Sequence, residues 1–583
     1  MSCTAATVLN WSIPVAIAIA ILLAIVTISY WQTIHAYPKG GGAYIVARDN
    51  LGELPAQVAG AALLTDYILT VAVSISAGVA QITSGIPDLL PWRVELAVAV
   101  IAIIMLINLR GVRESGQVFA VPTYFFLMIM FITLVVALVR LIIGNLPTVT
   151  EVEVMHETTQ SLTLFLILRA FSSGCTALTG IEAISNGIMA FKEPRSHNAA
   201  TTLVWMSSIL IVLFLGITLV AHQIEVLPSE TETVISQLGR TVYGEGSIFY
   251  FMVLAGTALI LLMAANTSFA DFPRLAALQA ADGFLPRQLT ARGGRLVFSW
   301  GILGLSVFAS ILVIITDART TRLIPLYAIG VFMSFTLSQT GMAKRAWRIG
   351  KIKPGEVIQG RETPMMFDPT WRSKMAISAF GAVCTGVVMI VFAVTKFHDG
   401  AWFVVLLIPT LVFIFFRIHN HYQRVAHALS LSESKITVDK EPGNVRTIIL
   451  VDDVHAGTVR MVNFAKALGH PWEAVHVGIK PEKIAIVQEK WAKRIGEGEL
   501  RILDSPYRLL ADPIRQRVQE ILDSDPKVFV HVIMGHLAMD TYWEQALHQN
   551  TAYVFNLALS RMDRVVVTSV PYQIHRDTNG NHH

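Results

Sequence analysis

Ionisable residues inside long apolar stretches are the first to question, because a charge at the centre of a bilayer-spanning helix costs about 2.5–3.5 kcal/mol on insertion scales. Glu182 is one. It lies in Phe171–Gly187, FSSGCTALTGIEAISNG, where Gly174, Gly180 and Gly187 interrupt an apolar run crowded with Ser and Thr. That mixture predicts a discontinuous helix whose freed carbonyls and amides coordinate a substrate at mid-membrane. Close packing of small residues accounts for the glycines but not for the glutamate. Asp66 is the second such residue, about twelve residues into Leu54–Ser84, or roughly 18 Å along a helix. Tyr67, Thr70 and Ser74 follow it with i, i+3, i+7 spacing, which puts their hydroxyls on one face. Each of these hydroxyls alone could bond back to its own helix. A row of three beside a buried carboxylate points instead to a lined cavity. Tyr327, just after Pro325, offers one more hydroxyl, although a lone tyrosine is more often a packing residue.

The elements that position these residues follow from composition. Of 583 residues, 54% are hydrophobic and only 15% charged, well outside the range of an ordinary soluble domain. Apolar stretches long enough to cross a bilayer begin with Trp11–Tyr30 and recur through Leu54–Ser84, Val118–Ile143, Leu162–Ala190 and Ile248–Ala270 to Ala401–Phe416. About eleven spans are expected. Linkers bearing Lys39 and Arg48, Arg110 and Arg113, Lys192 and Arg195, Arg274 and Arg287, and the dense run Lys344–Lys374 fall on one side. The intervening linkers are acidic, with Glu151, Glu153 and Glu157, then Glu225, Glu230 and Glu232. The positive-inside bias therefore predicts a multi-pass protein of the plasma (cell inner) membrane with its C-terminal domain in the cytoplasm. The net charge of +4 mostly reflects this bias; the basic residues lack aromatic interleaving, so no nucleic-acid partner is expected. Cys3, Cys175 and Cys384 are too scattered for a disulfide framework or a metal site, and the adjacent histidines at the His583 end are a weak metal signal.

An odd number of spans with the C-terminus inside leaves Met1 outside, after a short lead without a basic n-region. The simplest expectation is that a preceding helix is absent from this sequence; a genuine external N-terminus is the rival.

After Phe416 the grammar changes. A polar stretch, 417–444, reads as a linker or amphipathic helix. From Val445, β-branched runs (VRTIILV, EAVHVGI, ELRILD, VFVHVIM, RVVVTSV) alternate with the helical patterns Thr458–Leu468, Pro481–Arg494, Pro513–Leu522 and Thr541–Arg561. Such alternation predicts a parallel sheet covered on both faces, a Rossmann-like α/β domain over 445–575. A transmembrane domain at 1–416 and a polar tail at 576–583 complete the division. The first strand ends in Asp452-Asp453, where doubly wound folds place ligand contacts. The pair could equally cap the next helix. No phosphate-binding glycine motif follows, so regulation or dimerisation is favoured over catalysis, and no enzyme is expected.

Four segments resemble the amino acid–polyamine–organocation (APC) superfamily: AYPKGGGAYIVARDNLG at Ala36–Gly52, NLRGVRES at Asn108–Ser115, GIEAISNGIMAFKEP at Gly180–Pro194 and NTSFADFPRLAALQAADGFLPR at Asn266–Arg287. The resemblance implies an all-α membrane domain of LeuT-like inverted repeats and alternating access. With a C-terminal domain similar to universal stress proteins, the whole looks most like the KimA-type, KUP-related potassium/proton symporters, which are homodimers. By that resemblance Tyr67, Thr70, Ser74, Thr179, Glu182 and Tyr327 line a potassium pathway. It also makes cyclic di-AMP a candidate regulatory ligand, with Asp452 and Asp453 as candidate contacts; the stress-protein nucleotide signature is largely missing. In that fold the first helix is broken and supplies about half of the site, so the expectation of an absent first helix bears on function.

Physics agrees with the cation. A partly dehydrated K⁺ is met best by several neutral oxygens, and a buried carboxylate that alternates between protonated and charged forms can couple a proton. Glu182 and Asp66 are the proton-coupling candidates. An amino-acid permease is the runner-up, since it shares most of the motifs, and a non-transporting membrane sensor is a third reading.

Overall fold

The computed structural model describes residues 11–40, 42–111, 116–149, 163–229, 231–291, 298–430, 443–479, 481–505, 510–538 and 551–573. The chain divides into two units, Met1–Glu433 and Ser434–His583.

The first unit is helical. Among its described residues, ten helical stretches are long and apolar enough to cross a membrane, and an eleventh, Ser299–Ile315, is 17 residues long. Their chain order is α1 (Ser12–Ala36), α2 (Ala43–Asn50), α3 (Glu53–Gly85), α4 (Arg93–Leu109), α5 (Gly116–Ile143), α6 (Leu164–Gly174), α7 (Ile181–Asn186), α8 (Arg195–Gln223), α9 (Val234–Tyr243), α10 (Ile248–Ala281), α11 (Ser299–Ile315), α12 (Thr320–Ile349), α13 (Trp371–Thr395) and α14 (Trp402–Ala428). Helices α6 and α7 together make one span, and two others are short and non-spanning: α2 joins α1 to α3, and α9 joins α8 to α10. The last span does not stop near Phe416; α14 runs unbroken to Ala428. A two-residue hairpin, β1 (Val357–Ile358) against β2 (Met365–Met366), sits in the basic connection between α12 and α13.

Helices α3 and α12 lie at the centre. Their apolar windows are 78% and 72% buried, against 17–44% for the other long spans. They pack on each other, with α10 against α3 and α13 against α12. The contact is close because α12 presents Gly330 to α3: a Cβ there would come within 2.9 Å of the Ala62 carbonyl. The three least hydropathic spans are α3, α12 and the Leu164–Asn186 segment of α6 and α7. A helix this poor in apolar residues is stable in a membrane only if its polar face is turned to other helices.

The second unit is a parallel five-stranded sheet in the order β5-β4-β3-β6-β7, made of β3 (Val445–Leu450), β4 (Trp472–Gly478), β5 (Leu500–Asp504), β6 (Phe529–Ala538) and β7 (Val565–Gln573). Alternate residues of β3 feed two cores. Ile448 and Leu450 meet α17 (Ala511–Ser524) and α18 (Thr551–Leu559), while Ile449 and Val451 meet α15 (Ala456–Ala467) and α16 (Pro481–Arg494). Burial on both faces explains why these strands read as continuous β-branched runs. Part of the helix expected over Thr541–Arg561 lies outside the described residues; α18 is its described portion.

Candidate functional site

The site begins with a broken helix. After α6, Cys175–Leu178 form one 3₁₀ turn, Thr179 is extended (φ −65°, ψ 149°), and Gly180 sits in the left-handed region at φ 87°. That conformation costs a side chain roughly 1–2 kcal/mol and costs glycine little. The chain then resumes as α7. The interruption leaves backbone amides and carbonyls at both new helix ends without intrahelical partners.

Glu182 lies in the first turn of α7 and is 3% exposed. Ser334 of α12 stands 3.1 Å from its Oε2 and 2.8 Å from the Val331 carbonyl, so one hydroxyl proton serves two acceptors. Glu182 Oε1 has no partner among the described residues. Two further buried hydroxyls, those of Tyr30 (α1) and Ser338 (α12), belong to the same region and lie close to each other. Tyr30 sets its ring edge-on to Phe335 at 5.4 Å, and both Tyr30 and Asp66 are close enough to Glu182 to feel its charge.

Asp66, on α3, is also buried, and its Oδ1 lacks a partner among the described residues. One turn on, Thr70 donates to the Tyr327 hydroxyl at 3.1 Å, and Thr179 flanks the same hydroxyl. The central helices and the break thus converge on Asp66, Thr70, Thr179, Glu182 and Tyr327. Tyr67 is placed differently: its hydroxyl accepts from Asn186 Nδ2 at 2.9 Å, at the far end of α7. Ser74 is buried one turn beyond Thr70.

Tyr30, Ser334, Ser338 and Asn186 are parts of this arrangement that reading the sequence missed. A signal for two of them was present, because Ser334 and Ser338 follow Tyr327 at +7 and +11 on one helical face.

Asp452 and Asp453, in the second unit, follow β3 and pair with lysines of α16: Asp452 with Lys483 at 2.6 Å and Asp453 with Lys490 at 2.9 Å. They do not cap α15. His455 does, accepting from the Gly457 N–H at 3.1 Å, while Thr458 returns a bond to the Asp453 carbonyl. Burial works against charge on Asp453, but the Lys490 bonds and the Val454 N–H hold its carboxyl below the usual range.

Two protein families match this chain. The amino acid permease family matches residues 2–416, and the KimA potassium transporter C-terminal domain matches residues 443–572. Potassium transporter KimA of Bacillus subtilis (strain 168) is 39% identical over 567 residues, 96% of this chain and 89% of that protein. The crystal structure of an Eremococcus coleocola manganese transporter with an aromatic bis-isothiourea compound aligns at a TM-score of 0.36 and 12% identity, over 72% of this chain and 92% of that one.

Proposed function

Because the chain belongs to the amino acid permease family and joins that domain to a KimA-type C-terminal domain, we propose that it is a potassium transporter working by alternating access. One observation at the site carries the choice of substrate. Two buried carboxylates, each with an unpartnered oxygen among the described residues, stand among the neutral oxygens of Thr70, Thr179 and Tyr327 and the opened backbone at Gly180. Buried carboxylates persist when something neutralises them. A dehydrated monovalent cation does so and takes the hydroxyls as ligands. Tyr67, Thr70, Ser74, Thr179, Glu182 and Tyr327 are the proposed lining.

The amino-acid permease reading fits the family of the membrane domain, but the KimA-type C-terminal domain and the 39% identity to KimA over 96% of the chain favour potassium.

We further propose proton coupling through Glu182, with Asp66 as the second candidate, since a carboxylate must be either protonated or cation-bound to stay buried. By its basic linkers the protein sits in the plasma membrane with the α/β domain cytoplasmic. That domain, similar to universal stress proteins, serves regulation and homodimer formation, with cyclic di-AMP as its candidate ligand.

The test is rubidium uptake in a bacterial strain lacking its own potassium importers. Concentrative, pH-dependent uptake that excess amino acids do not compete with, and that loses its pH dependence in Glu182→Gln, is expected. Uptake of labelled amino acids without rubidium would move the assignment to a permease. Ligand binding without flux would point to a sensor.

A further inference from the structure

Asn186 ends α7 wedged between two elements. On one side its Nδ2 donates to the Tyr67 hydroxyl at 2.9 Å. On the other it presses on the turn that leads into α2. A Cβ at Gly42 would lie 2.1 Å from Asn186 Oδ1, and Gly40, at φ 109°, lies beneath the Asn186 carbonyl. Only glycine leaves Asn186 this room.

The Tyr67–Asn186 contact forms part of the wall of a cavity. Towards the middle of the protein lie Asp66, Thr70 and Glu182. The cavity measures about 130 Å³ and is lined by Lys39, Tyr44, Tyr67, Asn186, Asp271 and Arg274. That is room for about four waters. Its basic residues, Lys39 in the α1–α2 linker and Arg274 in the last turns of α10, lie on the side assigned to the cytoplasm, so it is the inner end of the pathway. While Asn186 donates to Tyr67, that phenolic oxygen faces an N–H and not a departing cation.

We propose that the Tyr67–Asn186 hydrogen bond is the cytoplasmic gate of the transport pathway, seated on Gly40 and Gly42, and that the cavity below it is the exit vestibule for a monovalent cation. The gate rests on the transport reading above. Opening requires α7 to leave the glycine turn, which frees Asn186 from both contacts at once. Tyr67 is then a gating residue as much as a lining one.

The experiment reads access and not transport. Cys3, Cys175 and Cys384 are replaced by Ser, and Thr70→Cys reports on the space above the gate. Full-length protein in inside-out and right-side-out vesicles is treated with a membrane-impermeant thiol reagent. Asn186→Ala removes the bond, and Gly42→Ala displaces Asn186 without touching it chemically. Each is expected to speed labelling from the cytoplasmic face about fivefold, the shift that losing one neutral hydrogen bond allows, and to leave the outer face unchanged. If one variant is not recovered as a monodisperse protein, the other decides. Unchanged labelling, or faster labelling from the outer face, overturns the gate. Rubidium uptake by the unmodified protein is measured alongside. Its absence would defeat the potassium reading, whereas uptake with unchanged labelling would defeat the gate alone.

Discussion

Arg345 donates to Asp49 at 3.2 Å, and their side chains are only 5% and 2% exposed. The pair ties the C-terminal end of α12 to the short helix α2. Tyr37 donates to the same carboxylate at 2.8 Å, and Thr363 accepts from Arg345 at 2.8 Å. Next to Asp49, Arg48 bonds both Asp282, beyond the end of α10, and Glu362. The short helix between two spans is therefore held to α1, α10, α12 and the α12–α13 connection.

Breaking this pair from one side leaves a buried charge. Asp49→Ala or Arg345→Ala is expected to cost about 3–5 kcal/mol, while the double change Asp49→Leu with Arg345→Met costs less than either single one. Detergent thermal-shift midpoints of the four proteins measure the cycle; a loss in the double variant equal to the sum of the two single losses would refute the coupling.

Ser334→Ala removes the described donor to Glu182. A hydrogen bond to a charged group is worth about 1.5–3 kcal/mol, so the rubidium half-saturation is expected to rise about ten- to hundredfold. Ser334→Thr, which keeps the hydroxyl, is expected to retain most of the affinity. Rubidium uptake curves at fixed pH decide between the two outcomes.

Gly180→Ala places a Cβ in a left-handed conformation with open space around it, since no atom lies within 4 Å of the position. The cost is backbone strain alone, roughly 1–2 kcal/mol. Expression and monodispersity are expected to survive while uptake falls at least severalfold, because straightening the break removes the Glu182 geometry. Wild-type uptake from this variant would show that the break is not required.

His531, on β6, meets Thr568 of β7 at 2.7 Å. Burial, and then the neighbouring charge of His470, push its imidazole below the ordinary value. A depressed histidine is neutral in the fold, so its contribution to stability is full above the unfolded pKa near 6.5 and is lost as pH falls through the lower folded value. The α/β domain is expected to unfold more readily at pH 5.5 than at pH 7.5, and His531→Gln to narrow that difference. Urea unfolding followed by the tryptophans of this domain measures it; an unchanged difference would place the acid sensitivity elsewhere.

The spans were legible because a run of about twenty apolar residues is stable in few settings besides a bilayer, and the α/β domain because strand and helix periods alternate. The break was legible because three glycines flank one glutamate. The hydroxyls were harder. Thr65 bonds back to its own helix carbonyl at 2.8 Å, whereas Thr70 crosses to Tyr327. The residue type is the same, and only the facing helix separates the two uses. Tyr30 and the Arg345–Asp49 pair were not legible at all, since nothing local in the chain says which distant side chains share a buried volume.

The mutual burial of α3 and α12 has a consequence for biosynthesis. Asp66 reaches the bilayer when α3 is made, but α12, which covers it, leaves the ribosome roughly 250 residues later, about 10–50 s at ordinary elongation rates. Through that interval a poorly hydropathic span with a carboxyl at its middle must be kept from slipping back or facing lipid alone. Nascent α3 therefore depends on temporary company, whether α1, α4 or the insertion machinery, which its final partner later displaces.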